Sequence, residues 1–181
     1  MKVVRTLFLA IIAIVGFSAI SVGAQSFASH TKTRSMDQQI YKKLKGLPNA
    51  NVFDNITWQI EGTTVTLTGK VYTLGTKSTA ANLVKDIPGV TNVVNNIQNL
   101  PASPMDDRIR RQALRSFTNG GPAQYFGEPN PEVRIIVEHG RLTLEGYVSR
   151  KSDSDLLNIL ANGISGVFNV QNNLIVGKRE F

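Results

Sequence analysis

Apolar and polar residues alternate over two neighbouring stretches near the middle of the chain. Ile56, Trp58 and Ile60 are interleaved with Thr57 and Gln59, and Val65, Leu67, Gly69 and Val71 with Thr66, Thr68 and Lys70. A period of two predicts strands with one buried face, and the tight turn Glu61-Gly62-Thr63-Thr64 makes them a hairpin. Gly69 falls on the inward face, where a missing side chain lets a helix or a neighbouring backbone come close. The period then lengthens. Ala80, Leu83, Val84 and Ile87 take helical spacing over Thr76 to Asp86, Pro88-Gly89 breaks that helix, and Val90 to Ile97 returns as a third strand. Asn95 shares a face with Val93 and Ile97, so its amide must find hydrogen-bond partners, and it reads first as a structural group bonded to backbone and second as a ligand contact. Ahead of the hairpin, Ile40 and Leu44 lie one helical turn apart. Ser35 and Gln38 stand at capping-box spacing before them, and Gly46 and Pro48 close the run.

The second half repeats this order. Ser103-Pro104 caps a helix whose apolar stripe is Ile109, Ala113 and Phe117. Val133, Ile135 and Val137, a turn at Glu138-His139-Gly140, and Leu142, Leu144, Gly146 and Val148 form a second hairpin. A helix over Asp153 to Ala161 and a strand over Val167 to Val176 complete it. Aligned without a gap at an offset of 77, Val65–Ile97 and Leu142–Leu174 agree at twelve of thirty-three positions. Unrelated stretches would agree at roughly two, so the chain carries an internal duplication. The pattern predicts two tandem helix-strand-strand-helix-strand units, residues 35–100 and 103–178, linked by Leu100-Pro101-Ala102. Units this small hold only marginal cores alone, so they are expected to pack on each other or on a partner.

The opening helices align at an offset of 69, which leaves eight extra residues in the second unit before its first strand. They fall in the Gly/Pro-rich stretch 119–131, which reads as an inserted loop carrying Tyr125 and Phe126. Loops of this length in compact domains are often functional. Two readings stand for the aromatic pair: docking into lipid or a partner, or folding back over the core.

Residues 1–24 read as a secretory signal. Lys2 and Arg5 precede the apolar stretch Leu7 to Val22, and cleavage is expected after Ala24, with Ala28 as the alternative. An uncleaved anchor is the competing reading, but Gly16, Ser18 and Ser21 leave the run short for a spanning helix. Residues 25–34 read as a flexible leader in which His30 is solvated. Removal of Lys2 and Arg5 lowers the net charge from +7 to +5, a mild surplus suited to an anionic surface. The absence of cysteine excludes disulfides, a thiol nucleophile and a lipid-modified N-terminal cysteine.

Candidate chemistry is sparse. His139 occupies a turn, and Asp106, Asp107, Asp153 and Asp155 sit at helix starts, where carboxylates suit the dipole. No phosphate loop, nucleophile motif or metal-ligand cluster is present, so neither an enzyme nor a cofactor is expected. Basic residues are the remaining signal. Lys42, Lys43 and Lys45 take the exposed side of the first helix, and Arg108, Arg111 and Arg115 recur at three and four residues on that of the third. Each group reads either as a solvated face or as a binding patch.

Gly69-Lys70-Val71 after the hairpin, Ala80 and Ala81 in the helix and Gly89-Val90-x-x-Val93-x-Asn95-x-Ile97 together resemble the BON domain, named for bacterial osmotically induced and nodulation proteins. The second copy matches with Gly146-Tyr147-Val148 and Gly166-Val167-x-x-Val170-x-Asn172-x-Leu174. It departs where Leu157 and Asn158 replace the alanines. The fold expected is α+β, two tandem units, each a small three-stranded mixed sheet with two helices packed on one face. The resemblance implies a non-catalytic, exported envelope protein that binds phospholipid surfaces or supports the envelope under osmotic or other stress. Without an anchoring cysteine it looks like the soluble periplasmic kind.

The leading expectation is therefore peripheral binding to anionic phospholipid, with Arg108, Arg111 and Arg115 at the headgroups and Tyr125 or Phe126 inserted. An assembly module of envelope proteins is the second reading, and a small ligand or ion held between the two units the third. Nucleic acid ranks last, since export removes the target and no aromatic stacking platform accompanies the bases.

Overall fold

The computed structural model describes residues 35–127 and 129–179. The expected signal at 1–24 and leader at 25–34 lie outside them. Unit 1 opens with helix α1, residues 35–45, followed by β1 (Asn55–Glu61), β2 (Thr64–Val71), α2 (Thr76–Lys85) and the short β3 (Asn92–Asn95) and β4 (Gln98–Asn99). Unit 2 holds α3 (Pro104–Gly120), a 3-10 turn (Ala123–Phe126), β5 (Val133–Glu138), β6 (Arg141–Val148), α4 (Lys151–Asn162) and β7 (Asn169–Val176). The expected α+β architecture of two tandem units is what the chain adopts.

In each sheet the second strand is central. β1 runs antiparallel to β2, and β3 and β4 lie in line as one interrupted strand parallel to β2. β5, β6 and β7 repeat the arrangement without the interruption. The parallel step needs a crossover, and the helix between second and third strands supplies it. Met36 and Ile40 of α1 and Ala80 and Val84 of α2 bury together against Val65 and Leu67. Ile109, Ala113 and Phe117 of α3 and Leu157 and Ala161 of α4 do so against Leu142 and Leu144. Both helices of a unit therefore share one face of its sheet.

The residues common to the two copies hold this scaffold. Gly69 and Gly146 adopt φ of +117°, and a Cβ there would lie 2.2 Å from the Asn55 carbonyl oxygen and 2.0 Å from that of Glu132. The close neighbour is the backbone entering the paired strand. Asn95 donates to the Lys77 carbonyl at 2.8 Å and accepts from the Ile97 amide, and Asn172 accepts from Leu174 while donating to Ser154. His139 and Gly140 both have positive φ, 50° and 72°, the backbone of a two-residue hairpin turn that matches strand twist. At the start of α1 the capping pattern differs from expectation: Gln39 Nε2, not Gln38, reaches Ser35 Oγ, at 3.5 Å.

The stretch 119–131 is not an open loop. α3 continues to Gly120, and the 3-10 turn carries Tyr125 and Phe126 into the core at 3% and 5% exposure. Phe126 stacks on Phe117 at 5.5 Å between ring centroids. The Tyr125 hydroxyl donates to Asp153 Oδ2 at 2.7 Å and accepts from the Ser149 amide at 2.9 Å. Of the two readings left open by the sequence, the pair folds back over the core. An aromatic couple with both hydrophobic area and a satisfiable hydroxyl gains more from burial than from exposure.

One short segment of unit 1 enters the core of unit 2. Asn51 to Asp54, between α1 and β1, is locked by the Asn51 amide on Asp54 Oδ2, the Phe53 amide on Asn51 Oδ1, and the Tyr72 amide on Asp54 Oδ1. This turn drives Val52 into the core of unit 2, where it is 2% exposed. The Val52 carbonyl accepts from the Ile135 amide at 2.8 Å and that of Asn51 from Arg134 Nη1 at 3.0 Å. Unit 1 thus covers part of the open edge of β5, which unpaired would be a site for association. Arg110 of α3 is buried beside the same edge. Its guanidinium donates to the Val137 carbonyl and to Asp107 Oδ1 and lies 4.6 Å from the Tyr72 ring of unit 1. Lys70 and Glu138 pair across the boundary.

Candidate functional site

Three surfaces compete as the site, and the basic side of α3 is the most distinct. Ser103 Oγ accepts from the Asp106 amide at 3.2 Å and Pro104 occupies the first turn, so the helix starts where the sequence places it. Ile109, Ala113 and Phe117 seat it on the sheet. Arg108, Arg111 and Arg115 remain, all exposed. Like charges at these spacings repel by about 0.2–0.5 kcal/mol per pair unless compensated. The nearby acids do not compensate them. Asp106 is buried and accepts from the His139 and Gly140 amides at 2.9 and 2.8 Å, and Asp107 pairs with Arg110. Among the described residues none of the three arginines forms an ion pair.

Two of these acids therefore act differently from the expected dipole role alone. Asp106 clamps the turn of the second hairpin to the start of α3, and Asp153 holds the Tyr125 hydroxyl.

α1 carries the second group. Lys42 and Lys43 are exposed, and Lys45 lies 5.7 Å over the Tyr41 ring. Its acid, Asp37, accepts from Trp58 Nε1 at 2.6 Å. Lys42, Lys43 and Lys45 sit on unit 1 and Arg108, Arg111 and Arg115 on unit 2, and no contact joins the two groups among the described residues. Tyr125 and Phe126, grouped with them by the sequence as candidates to meet lipid or a partner, lie in the core and leave the surface to the bases.

The third surface is a cleft between the units, about 500 Å³, walled by Tyr41, Lys45 and Trp58 on one side and by Glu145, Tyr147 and Arg179 on the other. The Arg179 guanidinium spans it, 4.3 Å from the Trp58 ring and 5.2 Å from that of Tyr41. Cations and carboxylates alternate on its walls, and Asp54 is already bonded to backbone amides, so the cleft has no single-sign field to select an ion. No group of three metal-binding side chains occurs among the described residues. No helix among them is long and apolar enough to cross a membrane.

Sequence reasoning missed Val52 and Arg110. Both left a signal: Val52-Phe53 is an apolar pair outside any periodic element, and Arg110 falls three and seven residues before Ala113 and Phe117, at the margin of the apolar stripe.

The model of the BON domain matches residues 36–101 and again 106–178. Two solved structures are similar to the chain. One comes from structural studies of CdsD, a structural protein of the type III secretion system of Chlamydia trachomatis. It is 13% identical, with 81% of this chain and 94% of that chain covered and a TM-score of 0.32. The other, the C-terminal domain of the same protein, is 13% identical over 78% of this chain and 96% of that chain, with a TM-score of 0.31. Likeness at this level carries no argument about function. None of the curated proteins matches the chain.

Proposed function

From the premise that the chain belongs to the BON domain family, we propose that it is a non-catalytic, exported envelope protein that binds peripherally to anionic phospholipid surfaces and helps maintain the envelope under stress. The family suggests an envelope-associated, phospholipid-binding role. The observation that carries the reading further is the uncompensated Arg108, Arg111 and Arg115 on a rigidly capped helix, with both neighbouring acids engaged elsewhere. Lys42 and Lys43 add a second exposed basic site. Each basic side chain at an anionic bilayer contributes about 1 kcal/mol, so three give reversible, salt-sensitive association.

Flotation of residues 25–181 with phosphatidylglycerol or cardiolipin vesicles at low salt tests the reading. Binding is expected, with release at high salt. Replacing Arg108, Arg111 and Arg115 by Ala is expected to weaken it by roughly 100-fold, from about 3 kcal/mol at 1.4 kcal/mol per tenfold. No flotation at low salt overturns the proposal.

A second reading is an assembly module for envelope proteins. It is favoured by the outer edge of β7, where Ile175 and Val176 are exposed and no strand pairs among the described residues. A concentration-independent monomer in sedimentation, with no partner captured from an envelope extract, would count against it.

A further inference from the structure

The two units end in the same backbone tip, built with opposite chemistry. In unit 1 the Thr91 amide donates to the Thr63 carbonyl at 2.9 Å, and the two hydroxyls bond at 2.7 Å. The equivalent bond in unit 2 runs from the Phe168 amide to the Gly140 carbonyl at 3.2 Å. Phe168 replaces Thr91 and Gly140 replaces Thr63. The two changes belong together, because a Cβ on Gly140 would meet the Phe168 ring at 2.7 Å. Met105 stands opposite Met36 of the first unit. Met36 is 3% exposed, whereas Met105 is 52% exposed and Phe168 69%.

These side chains converge on one end of unit 2. The Met105 methyl lies 3.4 Å from where Gly166 would carry a Cβ, two residues before Phe168. Asp106, next to Met105, clamps the turn on which Phe168 rests. Arg141 places its guanidinium 5.9 Å over the Phe168 ring, and Arg108 follows Met105 by one helical turn on the exposed side. Their counterparts in unit 1 are uncharged, Thr64 and Gln39. An exposed apolar pair with Arg141 over its ring and Arg108 of the α3 stripe one turn from its thioether has the composition of an interfacial anchor: ring and thioether in the acyl boundary, guanidinium groups at the phosphates.

We infer that Phe168, with Met105, is the hydrophobic anchor by which unit 2 inserts into an anionic bilayer surface. The inference rests on the proposed phospholipid binding and assigns the insertion to Phe168 in place of Tyr125 and Phe126. The matching tip of unit 1, with Thr91 and a buried Met36, takes no part.

Residues 25–181 carrying Phe168→Trp, mixed with phosphatidylglycerol vesicles bearing brominated acyl chains, test it directly. Trp58 is the sole native tryptophan, so the unsubstituted protein supplies the background. Blue-shifted, quenched emission of the introduced indole is expected, with no such quenching for Thr91→Trp. Phe168→Ala is expected to weaken vesicle binding about tenfold while leaving its salt dependence unchanged. Near-UV circular dichroism shows that the variants fold. Vesicle binding without quenching at position 168 overturns the anchor and leaves the phospholipid reading intact. Absence of binding by every protein, the unsubstituted one included, overturns both. If Phe168→Ala abolishes a self-associated form in solution and leaves vesicle binding unchanged, the tip is a contact between copies and the anchor is wrong.

Discussion

Unit 1 and unit 2 solve one local problem with different side chains. Where the second strand ends, a backbone amide must be satisfied. In unit 1 it is the Tyr72 amide, taken by the carboxylate of Asp54 at 2.6 Å. In unit 2 it is the Ser149 amide, and the residue aligned with Asp54 is Pro131, which offers no acceptor side chain. The hydroxyl of Tyr125 takes its place, itself anchored on Asp153. The eight extra residues are thus a core patch that supplies an acceptor and two aromatic rings. Asp54 in turn belongs to the turn that sends Val52 outward into unit 2. One unit donates to its neighbour from this position and the other closes on itself, so the duplication yielded an asymmetric pair.

The comparison can be tested from both sides. Gly69→Ala and Gly146→Ala should have the largest effects and nearly equal ones, about 3–5 kcal/mol each, because both positions combine positive φ with carbonyl oxygens 2.2 and 2.0 Å from the added Cβ. Urea titration of each variant measures this. A large effect at one site alone would break the symmetry claimed for the scaffold. Val52→Asp comes next, at about 3 kcal/mol, from burying an unpaired carboxylate in an apolar core. Its signature is location: hydrogen exchange should accelerate at Ile135 and Leu144 of unit 2 more than at Val65 and Leu67 of the unit that carries the substitution. Tyr125→Phe is the smallest, about 1–2 kcal/mol, from leaving the Ser149 amide and Asp153 without the shared hydroxyl. It should accelerate exchange at Ser149 and leave Tyr72 unchanged, sharpening the contrast between the two solutions.

Much of the scaffold was legible because its causes are local. The period-two runs around Trp58 and Ile135, the cap at Ser103 and the inward glycines each follow from a few neighbouring residues, and duplication showed each of them twice. Lys42, Lys43, Arg108, Arg111 and Arg115 were equally readable as exposed, since helical spacing alone puts them opposite an apolar stripe. The aromatic pair at 125–126 was ambiguous for a physical reason. An apolar residue in an aperiodic stretch can be buried or displayed at similar local cost, and the choice lies with a distant partner, here Asp153, Ser149 and Phe117. Phe168 carried the converse signal, a difference between copies at a position whose backbone role is shared.

By itself the sequence determined two α+β units, their order, their buried faces and the basic sides of their opening helices, since these depend on periodicity and on the conformational limits of single residues. The tertiary structure decided which side chains cross from one unit to the other and which stay at the surface. Val52 in a foreign core, Arg110 buried beside Tyr72, Tyr125 standing in for Asp54 and Phe168 held out over Gly140 all rest on contacts between residues far apart in the chain. Whether such a contact forms depends on how complete elements dock, and no local pattern encodes that.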